Sequence, residues 1–358
     1  MPCWNRQAIK PLPAPKTVFT VGLFKYYRLL KKRYKILLNY VIGPLLCILL
    51  ALVIYSKLQS HTNRQQIQQL VTRAFDSDNS GYIVALFLLM LLNWAIESVK
   101  WKILVSSVQK VSFFTAVKAV LTGVSFSLFV PNGIGEYFGR IVYMEEGNRL
   151  RSISVTIVGS ISQILVTIVA GFCGLLYLKS HAWRQLLQAQ GFSGFWLSGV
   201  LYMVALTIVV VVFIYYRLSW LTALVEKIPL VHKYRYFIQT LEIFHWKELT
   251  RILLLSGLRY TVFIVQYLLM LHIFNVQVYW LDAACTTSVL FLVLVILPTI
   301  PVADLGIRGE TGLQLFGVIS KNAGGIVFTA AGIWLLNIII PAIAGTLFIV
   351  SIRLFRNR

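Results

Sequence analysis

The sequence predicts an all-α polytopic membrane protein: about six transmembrane helices plus two oppositely oriented re-entrant helical hairpins, arranged as an inverted repeat. Three observations carry this expectation. Of the 358 residues, 58% are hydrophobic and only 13% charged, about half the charged share of an ordinary soluble domain. The apolar residues gather into eight blocks, most of them close to the twenty or so residues a helix needs to cross a hydrocarbon core about 30 Å thick. Lys and Arg concentrate in particular connecting segments, which sets orientation.

Residues 1–35 hold nine Lys/Arg and no acidic residue. Pro11, Pro13 and Pro15 make the start irregular; Leu23, Tyr26, Tyr27, Leu30 and Tyr34 then recur at helical spacing among Lys31, Lys32, Arg33 and Lys35. This predicts a basic amphipathic segment on the cytoplasmic membrane surface. The apolar block after it is too long for a signal-peptide core and lacks a cleavage motif, so it reads as an uncleaved first membrane helix. The blocks run 36–56, 82–104, 112–130, 152–178, 195–216, 250–274, 281–300 and 324–352, the third ending at Pro131 and the last containing Pro341. No low-complexity linker interrupts them, so 36–358 is expected to form a single membrane domain.

Orientation follows from the positive-inside rule. The N-terminus, the basic stretch 217–251 (Arg217, Lys227, Lys233, Arg235, Lys247, Arg251) and the terminal Arg353, Arg356 and Arg358 all belong on the cytoplasmic side. Eight full crossings would put 217–251 outside. The conflict disappears if 112–150 dips in and returns to the cytoplasmic face while 281–320 does the same from the outer face. Six crossings then remain, and helix–hairpin–helix is mirrored by helix–hairpin–helix, as in transporters built from inverted repeats.

Two polar motifs sit in those hairpins. One is Pro131-Asn132-Gly133-Ile134-Gly135-Glu136 with Arg140; the other is Pro298, then Pro301-Val302-Ala303-Asp304-Leu305-Gly306-Ile307-Arg308-Gly309-Glu310. Proline breaks a helix, glycine lets the backbone turn, and irregular backbone survives at membrane depth only inside protein or beside water. A charge near the bilayer centre costs about 2.5–3.5 kcal/mol even on the milder scales, so Glu136, Arg140, Asp304, Arg308 and Glu310 must pair or be hydrated. One reading makes them helix caps: Glu136 and Glu310 in the first turns of the helices that follow, Asp304 as an N-cap, the arginines as neutralising partners. The other makes them a substrate site, in which Arg140 and Arg308 offer forks for a phosphate and the glycine turns add backbone N–H groups.

The runs F-V-P-N-G-I-G-E-Y-F-G-R at 129–140 and L-P-T-I-P-V-A-D-L-G-I-R-G-E at 297–310 resemble the signature segments of the lysylphosphatidylglycerol synthase transmembrane region. The aromatic-basic run from Asn93-Trp94 to Lys100-Trp101-Lys102 is similar to the end of that family's second helix. In the family's usual first motif an arginine follows the glutamate closely, and Arg140 is a displaced counterpart. The resemblance spans roughly 36–352 and implies a flippase-like membrane domain that moves lipids or lipid-linked sugars across the cytoplasmic membrane. In the fused enzymes a soluble C-terminal domain performs aminoacyl transfer; with the last block ending near Arg358, that activity is not expected here.

The expected substrate-binding residues are Asn132, Gly135, Glu136, Arg140, Asp304, Gly306, Arg308, Glu310 and Lys118, the last either reaching the first motif or snorkelling to the interface. Arg259 interrupts its block in the same way. Glu97 and Lys100 read as an ordinary i,i+3 pair at the interface. Asn93, Ser160, Gln163, Gln266 and Asn337 either line a polar path or bond between helices. The net charge of +21 flanks apolar blocks, which points to lipid headgroups and not to nucleic acid. Cys3, Cys47, Cys173 and Cys285 form no C-x-x-C, and no H-E-x-x-H or phosphate-loop motif occurs, so no metal, cofactor or ATPase activity is expected. A buried carboxylate has a raised pKa, so Glu136 or Glu310 could couple transport to protons. The leading expectation is a carrier of an anionic phospholipid or polyprenyl-linked lipid; its rivals are a non-catalytic partner of an envelope-building enzyme and an intramembrane headgroup transferase with Glu136 or Asp304 as general base.

Overall fold

The structure is a computed structural model. It describes residues 76–128, 133–180, 194–217, 244–297 and 301–356, with positions 68 and 72, all within one compact unit, Val53–Arg358. The expected basic segment 1–35 and the first apolar block, 36–56, lie outside the described residues.

Helix α1, Ser80–Val105, follows a short 3-10 turn at Ser77–Asn79. α2, Phe113–Ser127, is capped by Ser112, whose hydroxyl accepts the Thr115 N–H at 3.1 Å, the usual way a first-turn amide is satisfied. α3 is Ile134–Ile141, α4 Arg149–Ser180 and α5 Gly194–Tyr216. α6, Trp246–Ile273, ends in a turn where Asn275 takes φ 53°. α7 is Trp280–Ile296, and α8, Pro301–Phe316, begins with proline in the first turn, where its missing N–H is harmless. α9, Ala323–Trp334, is capped by Asn322, which accepts the Gly325 N–H at 2.9 Å. It runs through a π-helical turn, Leu335–Ile339, into α10, Ile340–Arg356. Pro341 stands just beyond that turn: its ring crowds the carbonyl four residues back, and the widened turn upstream relieves it.

Among the described residues five stretches are long and apolar enough to cross a bilayer: Ser77–Val105, Glu146–Lys179, Leu197–Tyr216, Trp246–Ile273 and Ala323–Val350. The sixth expected crossing is the block outside the described residues. α2 and α7 have 15 and 17 residues, or about 22 and 26 Å at 1.5 Å per residue, short of the hydrocarbon thickness. Large apolar side chains such as Phe195, Tyr202, Met203, Leu206 and Val209 of α5 face outward, a surface only lipid or another apolar partner would tolerate.

The packing is paired. α2 lies on α3 as α7 lies on α8; α3 touches α4 as α8 touches α9. α2 packs against α10, at the end of the chain's second half, just as α7 packs against α4, at the end of the first. α1 and α6 pack on each other. These contacts correspond in pairs when the two halves are exchanged.

Candidate functional site

The first hairpin is shaped by backbone contact. Gly133 precedes α3 with φ 68°, a left-handed conformation that favours glycine. A Cβ on Gly135 would strike the Phe126–Ser127 backbone, and one on Gly139 would strike the backbone of Thr122 and Gly123. With hydrogen at both positions, α3 lies flat on α2 and delivers Arg140, in its last turn, to the side of α1.

There Arg140 meets Glu97, and Glu97 is the centre of the site. It is only 4% exposed. Its Oε1 accepts Arg140 Nη2 at 3.0 Å; its Oε2 accepts Lys100 Nζ at 2.7 Å and Arg259 Nη1 at 2.9 Å. Arg140 also holds Glu136, one turn back on α3, at 2.9 Å. Three helices, α1, α3 and α6, are pinned through one carboxylate. Lys100 is 1% exposed and Arg140 3%, whereas the Glu136 side chain is 37% exposed. With all five ionised, Lys100, Arg140 and Arg259 face Glu97 and Glu136, leaving one positive charge in excess. The Nε of Arg140 is buried with no hydrogen-bond partner among the described residues.

A neutral network extends the cluster. Arg259 lies between the Trp94 and Phe263 rings, 5.3 Å from each centroid, and its Nε donates to Asn93 Oδ1 at 2.9 Å. Asn93 donates to Asn337 Oδ1 at 3.1 Å, and Asn337 donates to Gln266 Oε1 at 3.1 Å. Asn337 sits in the π-helical turn, a helix irregularity that often marks functional sites. On the other side Lys100 donates to Ser256 at 3.4 Å, and Ser256 bonds Ser162 of α4 at 2.7 Å.

Glu97 and Lys100 are thus not an interfacial pair, and Arg259 does not snorkel. α1 continues to Val105, so Glu97 is packed among helices. The available signal was the position of Arg259 midway along α6, too far from either end for its side chain to leave the bundle. Of the polar residues left open between a path and interhelical bonding, Asn93, Gln266 and Asn337 bond between helices. Ser160 bonds Tyr137 of α3 at 3.2 Å, and Gln163 Oε1 is buried without a described partner.

In the second motif Asp304 and Arg308 pair at 2.7 Å across one turn of α8. Glu310 falls in the middle of α8, not in a first turn, and is exposed, accepting Gln314 Nε2 at 3.2 Å. Gly306 is likewise mid-helix and makes no turn, because α8 starts at Pro301 and runs through it. Glu136 does lie in the first turn of α3, and Gly135 serves close packing. Lys118 is exposed on α2, its Nζ 6.0 Å from the Phe348 ring centroid on α10. Asn132 lies outside the described residues. The first motif is therefore joined to α1 and α6 through Glu97, while Arg308 keeps its own partner on α8. Among the described residues no His/Cys/Asp/Glu group could hold a metal ion.

The model of one protein family, the lysylphosphatidylglycerol synthase TM region, matches residues 36–354. A search of curated proteins finds no match.

Proposed function

Because the chain belongs to the lysylphosphatidylglycerol synthase transmembrane-region family, whose membership points to a role with membrane lipids, we propose that it carries an anionic phospholipid or polyprenyl-linked lipid across the bilayer. The observation that carries this reading is the buried cluster around Glu97, with one positive charge in excess and an unpartnered Arg140 Nε. A bare phosphate in hydrocarbon costs tens of kcal/mol by idealised solvation estimates. A lipid phosphodiester carries the single negative charge the cluster lacks. It would bond Arg140 through the unpartnered Nε, beside the partly exposed Glu136, while Glu97 keeps Arg140 and Arg259 in place. The acyl or prenyl tails stay in lipid.

In this reading α2–α3 and α7–α8 enter the bilayer from opposite faces and return, as their lengths and the loop charges favour. The termini lie in the cytoplasm, and the chain acts without catalysing a reaction. Proteoliposomes containing headgroup-labelled phosphatidylglycerol or phosphatidylcholine, scored by chemical quenching of the outer leaflet, provide the test. Selective movement of the anionic lipid, slowed at least tenfold by Arg140→Ala and altered by Glu136→Gln and Arg308→Ala, is expected. Unchanged rates in all three variants, or equal movement of both lipids, overturn the proposal.

A further inference from the structure

α9 and α10 form one apolar stretch, Ala323–Val350, interrupted by the π-helical turn Leu335–Ile339, where the Ile340 N–H bonds the Leu335 carbonyl five residues back. Pro341 supplies no N–H for the Asn337 carbonyl. Prolines and π-helical turns are the places where helices kink.

The two sides of the turn belong to different neighbours. α9 packs on α6 and α8, and Asn322 at its start donates to the Phe274 and Asn275 carbonyls at 3.1 and 3.0 Å. α10 packs on α2. Ser125 Oγ donates to the Ala342 carbonyl at 2.6 Å, and Gly345 lies so close to the Leu121 carbonyl that no Cβ would fit. α2 in turn holds α3 through Gly135 and Gly139. Small residues bring these three helices into backbone contact, so α10, α2 and α3 form one stiff group. Side chains tie that group to the other helices: Arg140 to Glu97, Tyr137 to Ser160, and the apolar packing of α2 on α1.

Asn337 joins the turn to the charge cluster. Arg259 can only donate, so Asn93 presents its oxygen to Arg259 and its amide nitrogen to Asn337. At the far end Gln266 Nε2 donates to the Leu86 carbonyl at 3.5 Å, which can only accept. Both ends impose the same direction, from Arg259 through Asn93 and Asn337 to Gln266. A change of bend at the turn moves Asn337 and opens this chain in its middle.

We infer that the Leu335–Ile339 turn is a hinge on which α10 carries the α2–α3 hairpin, and that Asn337 positions Arg259 according to the state of that hinge. The inference rests on the lipid-carrier reading. Arg140 rides on the hairpin, whereas Glu97, Lys100 and Arg259 stand on α1 and α6. A phosphate at Arg140 therefore sits on the boundary between the two parts, and it shifts their arrangement as far as it binds one state better than the other. Asn337 is a positioning residue and touches no lipid.

The test is electron–electron distance measurement on the full chain in nanodiscs, with its four cysteines replaced by alanine and spin labels placed in pairs. Leu254 of α6, Phe114 of α2 and Leu347 of α10 are exposed and take the labels. Replacing phosphatidylcholine by phosphatidylglycerol should shift the 254–347 distance by about 5 Å, one helical turn, and leave the 114–347 distance unchanged. Pro341→Ala restores the missing N–H; it should abolish the shift and slow anionic-lipid movement in proteoliposomes at least fivefold, with phosphatidylglycerol binding unchanged by native mass spectrometry. Asn337→Ala should broaden the 254–347 distribution in phosphatidylcholine alone. A lipid-independent 254–347 distance, a 114–347 distance that shifts equally, or a Pro341→Ala protein that moves lipid at the parent rate overturns the hinge and leaves the carrier reading standing. Failure of the parent protein to bind or move phosphatidylglycerol in preference to phosphatidylcholine overturns both.

Discussion

Replacing Glu97 by Gln keeps the shape of the side chain and removes one negative charge. In the native cluster Glu97 faces Lys100 at 2.7 Å, Arg259 at 2.9 Å and Arg140 at 3.0 Å, all largely buried. After the substitution three cations face Glu136 alone, and the excess rises from one positive charge to two. Removing one partner of a buried ion pair costs about 3–5 kcal/mol, because the other charge stays desolvated and unpaired. Here the lost partner serves three cations, so Glu97→Gln should destabilise by at least about 3 kcal/mol. In a domain with its other interactions intact, that is a large share of total stability. The assay is equilibrium unfolding of purified protein in mixed micelles, with fluorescence as the probe. The control is Glu97→Gln combined with Lys100→Met, which returns the excess to one charge with a side chain of similar length. The double variant should recover at least about 1 kcal/mol relative to Glu97→Gln alone, a coupling typical of residues in one network. A Glu97→Gln protein as stable as the parent, or a double variant whose losses simply add, would refute the view that Glu97 is the common counter-ion of these cations.

Further expectations follow from the same geometry. Gly139→Ala places a methyl into the backbone of Thr122 and Gly123; overpacking of this kind costs about 1–3 kcal/mol, and lipid movement should fall with it because Arg140 is displaced. Gly306→Ala meets nothing within 4 Å and is mid-helix, so thermal unfolding should show a gain of about 0.5–1 kcal/mol. Arg140→Lys keeps the charge but loses the planar guanidinium, whose Nη2 donates to both Glu97 and Glu136 and whose Nε is left free among the described residues; proteoliposome assays should show it nearer to Arg140→Ala than to wild type. Asn337→Leu cuts the links to Asn93 and Gln266 and leaves their buried amides short of a partner, at about 1–3 kcal/mol, measured again by unfolding.

Block length and composition made the helices legible: every described block reappears as a helix within a few residues of its expected ends. Less legible was which charges would meet. Arg140 was found because it sits in a motif beside Gly135 and Glu136. Glu97, four residues from the aromatic Trp101, looked like an interfacial residue because sequence spacing cannot tell a helix end in water from one capped by neighbouring helices. The pairing of Glu97 with Arg259 spans 162 residues, a separation no local pattern encodes. The roles given to Gly306 and Glu310 failed for a related reason. A glycine and an acid after two prolines read as a turn and a first helical position, but α8 begins at Pro301 itself and carries both within its body.

The central claim, that the cluster around Glu97 holds the phosphate of a membrane lipid, is tested most directly by identifying the lipids that co-purify with the protein. Mass spectrometry of wild-type protein extracted in mild detergent should find anionic phosphate lipids enriched over the bulk membrane, and Arg140→Ala, checked to be folded, should lose that enrichment. Identical lipid profiles for the two proteins, each matching the bulk membrane, would contradict it.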